Sequence, residues 1–141
     1  MSFTRDELEA FRGAGLPDLA GPGIRLLIVG INPGLQSAAT QAHFSRRGRF
    51  YPALFRAGIL DRVVDASAGF TTEDRAHIIE RGVGITSLVP GATRRADELD
   101  AAQLHAGAAS LAERVAQLRP AVVAMLGITA YRVAFDRRHA V

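Results

Sequence analysis

The sequence predicts an α/β fold, a three-layer α/β/α sandwich around a small parallel sheet, from three observations. Three segments read as strands: 24–29, an apolar run expected to be buried on both faces, 83–89, and 121–126, a further buried run. Helical patterns lie between them, and the runs stand too far apart for hairpins, so the strands pair in parallel through helical crossovers.

Each element follows in order. Thr4 with Glu7 three residues on forms a capping box, which opens a helix over 4–12 before Gly13 and Gly15 end it. Residues 24–29 (IRLLIV) form the first strand between glycines, and a polar loop follows. Residues 50–57 carry a helix with Pro52 in its first turn and Gly58 beyond its end. A further helix over 72–81 has Thr71 and Asp74 at its start and Gly82 at its end. The second strand spans 83–89. Asp100 then opens a long helix with Leu104, Ala108, Leu111, Val115 and Leu118 on one face. Asp97, Glu98 and Asp100 suit the positive end of that helix. Pro120 stops it, residues 121–126 make a third buried strand, and a last helix covers 128–135.

At 141 residues and 48% hydrophobic content the chain is expected to form one domain, residues 1–141, with a sizeable core. No apolar run reaches membrane-spanning length, and the acidic N-terminus is unlike a signal peptide, so a monomeric cytoplasmic protein with no membrane contact is expected. The absence of cysteine excludes disulfides, thiolate nucleophiles and iron–sulfur clusters. All 17 basic residues are arginine. With no lysine there is neither a side-chain Schiff base nor a P-loop lysine. Arginine suits phosphate contact, and a GC-rich genome would also explain it. His43, His77, His105 and His139 lack metal-ligand spacing and are read as surface or structural residues, with no metal and no cofactor expected.

Ligands of open α/β sheets lie beyond the carboxyl ends of the strands, after Val29, Val89 and Leu126. The first of these loops, Gly30-Ile31-Asn32-Pro33-Gly34-Leu35, holds the chain's only asparagine. Pro33 keeps Asn32 out of the helical region and Gly34 permits a tight turn, which fixes the amide at the sheet edge. This hexapeptide, then Phe44, Arg49-Phe50-Tyr51 and Ala57-Gly58, resembles the Mug/TDG family of mismatch-specific DNA glycosylases in residues and in order. Similarity continues through Gly84-Ile85-Thr86-Ser87-Leu88-Val89, Leu104-His105-Ala106-Gly107 and Leu126-Gly127 with Ala130-Tyr131, and so covers nearly everything from residue 24 onward.

The resemblance implies a uracil-DNA-glycosylase-like fold and a monofunctional enzyme of base-excision repair. Such an enzyme excises uracil, or thymine or another damaged pyrimidine, from G·U or G·T mismatches in double-stranded DNA after flipping the nucleotide out. Asn32 would position the attacking water. Phe44 matches the ring that stacks on the flipped base, the alternative being a core residue. Ile31 would meet the base through its main chain, Ser37 would lie near the pyrimidine 5-position, and Ser87 would influence base choice. Arg46, Arg47 and Arg49 fall where phosphate contact is sensible, and equally where solvated arginines belong. Gly48 stands where the family often has asparagine, and Tyr51 where it has tryptophan. Family members continue into a further strand and an Asn-Pro-Ser-Gly-type loop, so a C-terminally truncated or inactive homologue is a second expectation. A non-catalytic nucleotide- or nucleic-acid-binding module is a third.

Overall fold

The computed structural model describes residues 2–141. Its elements run α1 (Arg5–Glu9), β1 (Leu26–Gly30), α2 (Leu35–Thr40), α3 (Phe50–Arg56), α4 (Thr72–Glu80), β2 (Val83–Ser87), α5 (Ala101–Leu118), β3 (Val122–Met125) and α6 (Ile128–Ala134). The three strands form one parallel sheet in the order β2-β1-β3, with Ile28 of β1 opposite Ile85 and Ala124. A central strand must be apolar on both faces, and β1 is. Ile28 joins one core with Tyr51, Leu54 and Ile78 from α3 and α4. Leu27 and Val29 join another with Leu104, Leu111 and Ala134 from α5 and α6. The α/β class and the helix-covered parallel sheet therefore stand as the sequence predicts.

Where side chains cap helices, the predicted starts hold. Thr4 and Glu7, Thr71 and Asp74, and Asp100 and Gln103 each form a reciprocal capping box. Four expectations need correction. The first helix stops at Glu9, because the Phe11 and Arg12 amides bond three residues back to Leu8 and Glu9 in a tighter turn. The polar loop after the first strand contains α2, whose apolar face is only Leu35, Ala38 and Ala39 over six residues and whose cap, Gly34, has no side chain to announce it.

Asp97 and Glu98 lie in a separate 3-10 turn, where they pair with Arg95 and Arg12; only Asp100 caps α5. The third strand is not buried: Val122 is 56% exposed and Val123 36%. The cause is position in the sheet. The outer side of β2 is bridged by Leu19, which exchanges two backbone hydrogen bonds with Ile85, whereas among the described residues β3 pairs only with β1.

Candidate active site

The loops after all three strands converge on one cavity of about 270 Å³. The β1 loop supplies Gly30 to Gly34, the β2 loop Thr93, Arg94 and Ala96, and the β3 loop Leu126 and Gly127. Hydrogen bonds tie the first two loops together: the Leu88 and Val89 amides donate to the Gly30 and Ile31 carbonyls at 2.8 and 2.9 Å, and Thr93 N donates to Pro33 O at 3.1 Å.

Asn32 is oriented by this arrangement. Its Nδ2 donates to the Gly91 carbonyl at 2.9 Å and to the Thr93 hydroxyl at 2.8 Å. A carbonyl can only accept, so the amide nitrogen is the atom on that side. The Thr93 hydroxyl donates its own proton to Arg95 O at 2.7 Å and is left as an acceptor for Asn32. Both amide protons are thereby used, and Asn32 Oδ1 has no protein donor among the described residues and is not a buried unsatisfied atom. A side chain of this kind offers a fixed acceptor to a water or a ligand hydroxyl. The cavity lining contains no carboxylate and no imidazole, so it holds no strong side-chain base.

Phe44 forms another wall of the cavity. Its ring stacks on Phe50 with centroids 3.8 Å apart, and its edge lies over Gly30, where an added Cβ would sit 3.3 Å from Cζ. The residue is half-buried, with the ring against the α3-side core. Its backbone is left-handed, φ +53°, which is rare for an aromatic residue. Gly127, also lining the cavity, has φ +94°, a conformation that calls for glycine, and a Cβ there would lie 2.8 Å from Ile31 Cδ1.

Of the residues singled out from sequence, Ile31, Asn32 and Phe44 meet in this cavity. Ser37 lines a neighbouring depression of about 370 Å³ with Arg46, Arg47 and Arg49, separated from Asn32 by the shared wall of Phe44 and Gly34. The Ser37 hydroxyl accepts from the Ser45 amide at 3.3 Å. Ser87 does not line the Asn32 cavity; it ends β2, and its carbonyl accepts from Arg114 at 3.0 Å. Arg114 also donates to Thr86, whose hydroxyl bonds Asp18 at 2.6 Å, so a polar cluster anchors that strand end to α5. Arg47 pairs loosely with Asp65 at 3.4 Å, while Arg46 and Arg49 make no ion pair among the described residues.

Sequence reasoning missed Gly91, Thr93 and Arg94. Arg94 faces the cavity and is held by Glu9 of α1. Hydrogen bonds from Arg12 and then Arg94 hold the Glu9 carboxyl down at about 2, so the N-terminal helix is clipped to the cavity loop by ionised groups. Nothing local in ATRR announces these contacts, because the partners lie about 60 and 85 residues away in sequence. His43 is 4% exposed and burial lowers its pKa, so the neutral ring donates from Nε2 to Pro17 O at 2.9 Å. No group of three or more His, Asp or Glu among the described residues could hold a metal ion.

A parallel α/β sheet with a small cavity at its carboxyl edge, lined by Asn32 and by the aromatic wall of Phe44, is the arrangement in which open α/β sheets place their ligands. Residues 17–140 match the family described as the Uracil DNA glycosylase superfamily, and the chain belongs to that superfamily. Its class of chemistry is therefore hydrolysis of the N-glycosidic bond between a base and DNA, and its macromolecular substrate is DNA.

Proposed function

We propose that the chain is a Mug/TDG-type, monofunctional uracil-DNA glycosylase that acts on G·U, and in the same manner G·T, mismatches. The observation that carries this reading is the state of Asn32: its amide nitrogen is bound twice, and its oxygen is free beside a cavity without a general base.

The chemistry suits that cavity. The target nucleotide leaves the stack at a cost of a few kcal/mol, least for a poorly paired base, and the base enters against Phe44. The C1′–N1 bond breaks with its electron pair going to N1, so the base departs as an anion and the sugar becomes oxocarbenium-like. Asn32 Oδ1 accepts a hydrogen bond from the water that attacks C1′, which aims the water's lone pair at the sugar. That water passes one proton to solvent as the C1′–O bond forms, and the departing base anion takes one proton from solvent, so no net proton is gained or lost. An amide suffices because the cation, once formed, needs an oriented water rather than a strong base.

In this reading Ile31 borders the base and Arg46, Arg47 and Arg49, beside the Phe44 wall, bind backbone phosphates. Ser37 acts on the Phe44 loop through Ser45, and Ser87 influences base choice from the end of β2.

The test is single-turnover cleavage of duplexes containing one G·U, G·T or A·U pair, with abasic sites revealed by alkali. Release of uracil from G·U by the wild type is expected, with loss of two to three orders of magnitude in Asn32→Ala and little change in duplex affinity. That size is the usual effect of removing one aligned hydrogen-bonding group from a reacting centre, ~10²–10³. Equal cleavage of A·U and G·U would remove the mismatch assignment. No cleavage of any duplex by the folded protein would remove the enzyme assignment.

A further inference from the structure

Phe44 adopts a left-handed backbone, φ +53°, that an aromatic side chain does not choose by itself. Such a conformation persists where the surroundings over-determine it. Both chain neighbours of Phe44 are fixed. On one side, His43 is buried, its carbonyl accepts from the Tyr51 hydroxyl at 2.6 Å, and its ring bonds Pro17 O. On the other, Ser45 is 1% exposed, its amide donates to Ser37 Oγ, and its hydroxyl lies 2.8 Å from that of Thr40. Ser37 and Thr40 belong to α2 and Tyr51 to α3, so two helices grip the peptide units that flank the ring.

We propose that Tyr51 is a positioning residue for the base-binding ring: its hydroxyl, opposed by that of Ser37, pins the backbone on either side of Phe44 and keeps the ring fixed between Gly30 and Phe50. This rests on the reading above, in which Phe44 stacks on the flipped base. The consequence is pre-organisation. A ring already held in place gives up no freedom when the base arrives, so its stacking is realised in full as affinity for the extrahelical base. Burial pushes the Tyr51 hydroxyl upward in pKa, so it stays a proton donor throughout the working pH range. The residue is 4% exposed and its ring packs edge-on against Phe50 and Phe70. Tyr51→Phe therefore deletes the pin and leaves the packing.

The experiment measures equilibrium binding of wild type, Tyr51→Phe, Ser37→Ala and Phe44→Ala to two duplexes. One carries 2′-fluoro-deoxyuridine opposite guanine, which can be flipped but is not readily hydrolysed; the other carries a tetrahydrofuran abasic site in the same place. A displaced ring weakens only the duplex that has a base to stack. Tyr51→Phe and Ser37→Ala are each expected to lower affinity for the fluorinated duplex about 5- to 10-fold, the size of one hydrogen bond's net contribution, and to change abasic binding less than twofold. Adding Tyr51→Phe to Phe44→Ala is expected to cost nothing more.

Equal losses on both duplexes, or no loss on either, overturn the pinning role. Phe44→Ala separates the two levels of the claim. If it leaves the base-dependent affinity unchanged, the stacking assignment itself falls. If it removes that affinity while Tyr51→Phe and Ser37→Ala do not, the pin alone falls. Ser37→Ala carries the test by itself if Tyr51→Phe does not fold.

Discussion

Replacing Thr93 by valine removes a hydroxyl and adds a methyl of nearly the same size, so it tests the orientation of Asn32 with little change in packing. Two hydrogen bonds disappear, Asn32 Nδ2 to Thr93 at 2.8 Å and Thr93 to Arg95 O at 2.7 Å. The second lies at an exposed segment where water substitutes, so the first decides the outcome. One such bond contributes about 1 kcal/mol net, and Asn32 keeps its bond to the Gly91 carbonyl. If that energy holds the amide in its reactive orientation, kcat falls by about 5-fold, since 1.4 kcal/mol corresponds to a factor of ten. KM does not change, because the bond aligns water rather than binding DNA.

The assay is single-turnover release of uracil from a G·U duplex, with Thr93→Ser as the rescue that restores the hydroxyl. A loss as large as that of Asn32→Ala would mean that Thr93 meets the substrate directly. An unchanged kcat would mean that Gly91 alone orients the amide. Either result refutes the shared role.

Three further outcomes follow. His43 is neutral and buried when folded, with burial holding its pKa below the usual 6.5. Below pH 6.5 the unfolded chain takes up a proton that the folded chain refuses, so the His43 contribution is complete above that pH and declines as pH falls toward the lowered folded value. Urea midpoints should accordingly be lower at pH 5.5 than at 7.5, and a His43→Gln variant should lose that part of the difference. A Cβ on Gly107 of α5 would lie 2.5 Å from the Leu88 carbonyl oxygen, and backbone cannot swing aside. Gly107→Ala should therefore cost about 1–3 kcal/mol, seen as a fall in thermal midpoint of several degrees, whereas an equally stable alanine variant would mean that α5 stands farther from the sheet. Finally, if Arg46, Arg47 and Arg49 bind phosphates, replacing all three by alanine should flatten the slope of log K against log salt by about 0.9 for each phosphate no longer neutralised. An unchanged slope would assign them to solvent.

The elements most legible in the sequence carry their own signals. Thr4, Thr71 and Asp100 each bond a backbone amide three residues on, so a cap and its partner can be read from a four-residue window. The apolar run through β1 is buried on both faces wherever the chain folds as α/β, and Gly30-Ile31-Asn32-Pro33-Gly34 has to follow its end. Superfamily, sheet type and the loop bearing Asn32 were therefore within reach of the sequence alone.

What tertiary structure alone decided depends on partners far along the chain. The same apolar pattern that buries β1 leaves β3 exposed, because burial is set by which strands and helices arrive on either side. The left-handed turn at Phe44 owes its stability to hydroxyls of α2 and α3, and α2 itself, too short to announce a helix, is held by packing of Leu35 and Ala38 on Ala92. The Asn32 amide could point either way until Gly91 and Thr93, about 60 residues on, took its two protons. Local sequence determined which residue stands at the strand end, and contacts between distant segments determined which of its amide atoms is bound and which is left free.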